Sequence, residues 1–197
     1  MRFKIGKTQI HITFSFAAGM VILSLLYDSA RVFSVLAASV LHEFTHLVCF
    51  LLCKTPPETV VVGLYGMRMS AENMRCLSYK KECFCALCAP VCNLFLFLAG
   101  LPFWTVGPFW QSFCSACFSF GFFNLLPLRC LDGGRALHCL LLQYGSACKA
   151  EKVMNITEWL AFAGLFLFLI FFFFFIRFEW TGAVFLFYLS FLFLFRK

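Results

Sequence analysis

Residues 32–53 read VFSVLAASVLHEFTHLVCFLLC, an apolar run with His42, Glu43 and His46 near its middle. About 20 such residues cross the hydrocarbon core of a bilayer as a helix. At 3.6 residues per turn, His42 and His46 fall one turn apart and project from the same face. Two imidazoles so placed can share one Zn2+, and Glu43 stands beside them, close enough to take a proton from a water held there. Ionisable groups in the middle of a membrane helix are costly and functional by default. The alternative is a structural polar cluster, in which the three pair among themselves or with another helix. His46 precedes Lys54 by eight residues, which puts it ~12 Å below the charged edge of the run.

The rest of the chain has the same character. Of 197 residues, 62% are apolar, 13% are charged and 30 are Phe, with a mean hydropathy of +0.90. A water-soluble domain carries roughly 25% charged residues. The shortage of charge also excludes a disordered chain, and the scattering of the basic residues excludes a nucleic-acid partner. The composition implies one all-α polytopic membrane domain. Most of the 12 cysteines lie inside apolar runs (Cys49, Cys85, Cys88, Cys92, Cys114, Cys117) and read as small packing residues. Cys85-x-x-Cys88 and Cys114-x-x-Cys117 sit among Phe, Leu and Ala, without the context of a zinc knuckle. The basic N-terminus resembles the start of a signal peptide, but no small-residue cleavage site follows, so a retained first span is expected.

Six runs approach the length of a span, roughly 10–27, 32–53, 82–104, 109–127, 156–176 and 179–195. Residues 128–155 form neither a clean span nor an ordinary loop. Arg2, Lys4 and Lys7 precede the first run, and Lys54, Arg68, Arg75, Lys80 and Lys81 follow the second. Arg129, Arg135, Lys149 and Lys152 follow the fourth, and Arg196 and Lys197 end the sequence. The opposite loops hold only Arg31 with Asp28 and Arg177 with Glu179. By the positive-inside rule both termini are cytoplasmic in a multi-pass cell-membrane protein. Trp104, Trp110, Trp159 and Trp180 fall at the expected span ends, where indoles favour the interface. Residues 59–69 are β-branched and punctuated by Gly63 and Gly66, and predict a short β-hairpin dipping into the membrane under cover of protein.

Zinc held by two His needs a third protein ligand and an open position. His11 and His138 are candidates, and Asp132 is the stronger one. It lies in Phe123-Asn124-Leu125-Leu126-Pro127-Leu128-Arg129-Cys130-Leu131-Asp132-Gly133-Gly134-Arg135. Pro127 interrupts the fourth helix and Gly133-Gly134 permits tight backbone geometry, so a broken helix beside an acidic residue is expected. Irregular backbone at membrane depth survives only where protein buries it or a polar cavity adjoins it.

These two motifs, in this order, resemble those of the site-2 proteases, intramembrane zinc metalloproteases. The resemblance covers roughly residues 10–145 and is strongest to the small bacterial branch typified by stage IV sporulation protein FB, whose N-terminal region resembles Ile10-His11-Ile12-Thr13-Phe14. Cys88-Ala89-Pro90-Val91-Cys92-Asn93 stands where the family has a Gly-Pro-x-x-Asn pattern, and residues 59–69 match its membrane-dipping strand. The resemblance implies one Zn2+ per chain with His42, His46 and Asp132 as ligands and Glu43 as catalytic acid/base. Asn93 and Asn124 would support the site or hold substrate, and Pro127, Gly133 and Gly134 would shape the motif loop. The sequence departs from the pattern at Ala89, at Thr45 and at Arg129-Cys130, and loses no catalytic atom.

The implied function is an intramembrane metalloendopeptidase that cleaves a membrane protein or membrane-associated peptide near the cytoplasmic side, releasing a regulator such as a transcription-factor precursor. Residues 59–69 would hold the unwound substrate by strand addition. The 197 residues contain neither a PDZ nor a nucleotide-sensing domain, so control by such an attached domain is not expected and a separate regulatory membrane partner is left open. The C-terminal helical pair is expected at roughly 156–195. An inactive scaffold would be expected to lose Glu43 or a ligand. A zinc transporter would want ionisable groups along a path across the whole membrane, whereas here they gather towards one side.

Overall fold

In the computed structural model, which describes residues 2–5, 8–63, 66–70 and 77–175, the 32–53 run forms helix α2 (Ser29–Leu52). Before it come strands β1 (Arg2–Ile5) and β2 (Thr8–Ile12) and helix α1 (Phe14–Leu26). After it come β3 (Thr59–Gly63), β4 (Gly66–Ser70), α3 (Tyr79–Gly100), α4 (Pro108–Asn124), α5 (Asp132–Tyr144) and α6 (Ala147–Phe175). A single 3-10 turn, Leu101–Phe103, prolongs α3. The expected span at 179–195, with Trp180, Arg177 and Glu179, lies outside the described residues.

Helix α2 is built inside out relative to a helix of a water-soluble protein. Its buried face carries Ser34, Ala38, His42, His46 and Cys49, and its exposed face carries Phe33, Val40, Phe44 and Leu51. Helix α3 repeats this, burying Cys85, Ala86, Ala89 and Asn93 while exposing Phe84, Val91, Phe95 and Leu98. Large apolar side chains turned outward with small and polar ones between helices are the pattern of a protein whose solvent is lipid. Among the described residues, two helical segments are long and apolar enough to cross a membrane, Ser29–Leu52 (24 residues) and Tyr79–Phe103 (25 residues).

Small side chains let the helices approach closely. Ala38 of α2 packs with Phe113, Ala116 and Cys117 of α4, and Cys49 and Phe50 pack with Cys85 of α3. Cys83 and Ala86 of α3 meet Ala136 and Cys139 of α5. Helix α6 in turn packs on α5. The chain leaves α2 through Lys54, a non-glycine residue at positive φ (60°), and the turn is closed by a bond from Thr55 N–H to the Phe50 carbonyl. This left-handed closure followed by Pro56-Pro57 stops the helix.

Three expectations need correction. The first run is not a span from residue 10: residues 8–12 are strand, and α1, at 13 residues, is about 20 Å long. The reason is period: Gln9 and His11 alternate with Ile10 and Ile12, a two-residue repeat. The fold is accordingly not all-α with one hairpin. The 59–69 region does form two strands, but they belong to a four-stranded sheet of order β1-β2-β3-β4 in which β2 and β3 run parallel. Strand β3 is therefore paired on both sides, and β1 and β4 are the edges of the sheet. Lastly, α6 begins at Ala147 rather than near 156, so residues 128–155 hold α5 and the first turns of α6, and Trp159 lies inside that helix.

Candidate metal centre

Helix periodicity delivers the first half of the site. His42 and His46 are buried on one face of α2, their ring centroids 5.0 Å apart and nearly perpendicular. Glu43, between them, is half-buried.

The second half needs a break in the chain. Helix α4 ends at Asn124, and Leu125 to Leu131 form a tight turn closed by bonds from Leu128 N–H to the Leu126 carbonyl and from Leu131 N–H to the Leu128 carbonyl. Pro127 lies in this turn and Asp132 is the first residue of α5. The turn folds back on the start of α5 so closely that a Cβ on Gly133 would run into the Leu125 carbonyl, and one on Gly134 into the Leu128 carbonyl. Both glycines are required by this approach of backbone to backbone.

Asp132 reaches both imidazoles with one oxygen. Its Oδ2 lies 3.1 Å from His42 Nε2 and 3.0 Å from His46 Nε2. Among the described residues, these three are the group whose ligand atoms gather within 4.8 Å. The outer ring nitrogens are held too. His46 Nδ1 donates to the Cys85 carbonyl of α3 at 2.9 Å, and His42 Nδ1 faces the amide of Asn93 at 3.3 Å.

The donor set fits a metal cation. A carbonyl can only accept, so His46 Nδ1 carries the hydrogen and the neutral ring turns a bare Nε2 lone pair towards Asp132 Oδ2. Two acceptors 3.0 Å apart need a positive charge between them, either a proton or a metal ion. Asn93 gives the second test. It is fully buried, and its Oδ1 has no hydrogen-bond partner. Turning the amide over places that oxygen on His42 Nδ1–H and leaves His42 Nε2 free to ligate, the arrangement in which a second group fixes the tautomer of a metal-binding His.

Other sequence candidates fall elsewhere. His11 lies in β2, paired with Val61. His138 Nε2 lies 3.3 Å from Glu151 Oε1. Asn124 donates to the Phe120 carbonyl of its own helix at 2.9 Å. Thr45 likewise bonds back, to the Leu41 carbonyl at 2.7 Å, as its hydroxyl permits. Cys85, Cys88, Cys114 and Cys117 are free thiols in the packing between helices. Arg129, exposed in the turn, is held by α6, with Nη2 2.7 Å from Glu151 Oε2 and Nε 3.3 Å from Glu158 Oε2. Its guanidinium holds the Glu151 carboxyl below the usual carboxylate range. Glu158 is a further residue of the site's surroundings, and the sequence carried a signal for it: an ionisable residue inside an apolar run, as at His42. The Cys85 carbonyl has no such signal, because its role is played by backbone and not by side-chain identity.

Fold and site together define a class: a membrane-embedded helical protein with a candidate metal centre of two histidines and one aspartate. No protein-family model matches the sequence, and no curated protein does. Among solved structures, the chain is similar to the site-2 protease from Methanocaldococcus jannaschii, with a TM-score of 0.61 and 19% identity over 85% of this chain and 83% of that one. The likeness extends over nearly the whole of both chains, and the fold is that of a site-2 protease.

Proposed function

We propose that the chain is a multi-pass zinc metalloendopeptidase of the site-2 type that hydrolyses a peptide bond of a membrane-associated substrate near the cytoplasmic face. The observation that carries this reading is the convergence of His42 Nε2 and His46 Nε2, from a helix apolar enough to cross a bilayer, with Asp132 Oδ2 from the start of α5. In it, residues 1–197 form one membrane domain with cytoplasmic termini.

His42, His46 and Asp132 hold the zinc. Bound there, the ion supplies Lewis-acid polarisation of the scissile carbonyl and brings the pKa of a water towards about 7. Glu43 accepts a proton from the attacking water and returns it to the leaving amine. Asn93 and the Cys85 carbonyl fix the two imidazoles, so that no ring reorients as charge develops. Gly133, Gly134 and Pro127 keep the turn that presents Asp132. A substrate helix hides its carbonyls in its own hydrogen bonds and must unwind before attack. Edge strand β4 offers the backbone partners for the unwound segment.

The test is cleavage in reconstituted membranes. Zinc-loaded protein is incubated with a panel of single-span peptides that carry helix-breaking residues near their cytoplasmic ends, and the products are read by mass spectrometry. Wild type is expected to cut at least one peptide, and Glu43→Gln to be slower by roughly 10²–10⁴-fold. Equal cutting by both would refute the assignment of Glu43.

A further inference from the structure

Three polar residues of α6, Glu151, Asn155 and Glu158, stand at spacings of four and three, on one face of the helix. All three close on Arg129 of the turn that carries Asp132. Arg129 Nη2 reaches Glu151 Oε2 at 2.7 Å and donates to Asn155 Oδ1 at 3.1 Å. Glu158 takes two parts of the same residue: Oε2 lies 3.3 Å from Nε, and Oε1 accepts the Arg129 backbone N–H at 2.8 Å. Glu151 is exposed, whereas Glu158 is 3% exposed and followed in the chain by Trp159, Leu160, Ala161 and Phe162.

A carboxylate so buried persists only if paired and hydrogen-bonded. The backbone bond is the informative one. The Leu128–Arg129 peptide is the one against which Gly134 packs, its nearest atoms being the Leu128 carbonyl and the Arg129 nitrogen. That peptide is thus clamped between Gly134 of α5 on one side and Glu158 of α6 on the other, three residues before Asp132.

We propose that Glu158 is a positioning residue for the metal centre: through Arg129 it fixes the 125–131 turn, and with it the placement of Asp132 opposite His42 and His46. The inference rests on the proposed zinc site. Helix α6, which contributes no ligand, then sets how firmly the third ligand is held, and a displacement of α6 is felt at the metal.

The experiment measures zinc loss from the detergent-purified full chain to excess chelator, for wild type, Glu158→Gln, Arg129→Lys and Glu151→Gln, alongside each variant's thermal unfolding. The cobalt(II)-substituted proteins supply a visible spectrum that reports ligand geometry. Groups that orient ligands typically change metal affinity by about 10–100-fold. Glu158→Gln is expected to lose zinc about tenfold faster than wild type and to alter the cobalt spectrum while unfolding at a similar temperature. Glu151→Gln, at the exposed arm, is expected to stay within about twofold of wild type, since exposed ion pairs contribute little. Should Glu158→Gln fail to fold, Arg129→Lys, which keeps the charge but not the planar fork, serves the same comparison. Wild-type zinc retention and an unchanged cobalt spectrum in the folded variant would overturn the inference and leave the zinc site standing. A folded wild type that takes up no zinc would overturn the zinc site itself.

Discussion

The two halves of the metal centre are built by different physics. His42 and His46 are set by one uninterrupted helix, in which a four-residue spacing by itself puts both rings on one face. Asp132 is set by a break: a seven-residue turn, two glycines pressed against carbonyls, and an arginine held by a different helix. The helix half is local and tolerant, since α2 stays α2 when a neighbour changes. The turn half is non-local, and each contact that shapes it is separately breakable. Substitutions of comparable size should therefore have unequal consequences on the two sides.

The comparison fails most completely where a ligand is lost. Asp132→Ala and His46→Ala should each abolish stoichiometric zinc in metal analysis, because two remaining ligands do not make a site. Next comes the turn. Gly134→Ala drives a methyl into the Leu128 carbonyl, so the turn must move, and zinc content should fall with a lowered unfolding temperature. If Gly134→Ala keeps full zinc and full stability, the asymmetry between the halves is wrong. A smaller effect is expected at Asn93. Asn93→Ala should weaken zinc by about 10–100-fold in chelator competition, whereas Asn93→Asp, which still offers an acceptor to His42 Nδ1, should keep it. Loss of zinc in both would mean that Asn93 packs rather than orients. The smallest change is Thr45→Ala on α2. Its hydroxyl only bonds back to Leu41, and its removal should shift stability by about 0.5 kcal/mol or less and leave zinc unchanged.

The same asymmetry governs what could be read from the chain. Helix α2 and its histidines were legible because periodicity and hydropathy are local properties. Asp132, Gly133 and Gly134 were legible because Pro127 and the paired glycines announce irregular backbone. The N-terminal strands were not, because Ile10 and Ile12 count towards a membrane run whether or not they alternate with polar residues. Helix α5 was hidden by Arg135, His138 and Gln143, which lower its hydropathy below that of a span. Glu158 stood out as an ionisable residue in an apolar run, but its role was hidden for a different reason. Its partner Arg129 is 29 residues away, and neither residue has a meaning until the turn and α6 are brought together.

The central claim is that His42, His46 and Asp132 hold one zinc ion and that Glu43 serves the reaction without holding it. The most direct test is the zinc content of the detergent-purified wild type, Glu43→Gln and Asp132→Ala, each shown to be folded. One zinc per chain, retained in Glu43→Gln and largely lost in Asp132→Ala, is the predicted result. A folded wild type without stoichiometric zinc, even after zinc is resupplied, would contradict the account and leave the three side chains as a structural polar cluster.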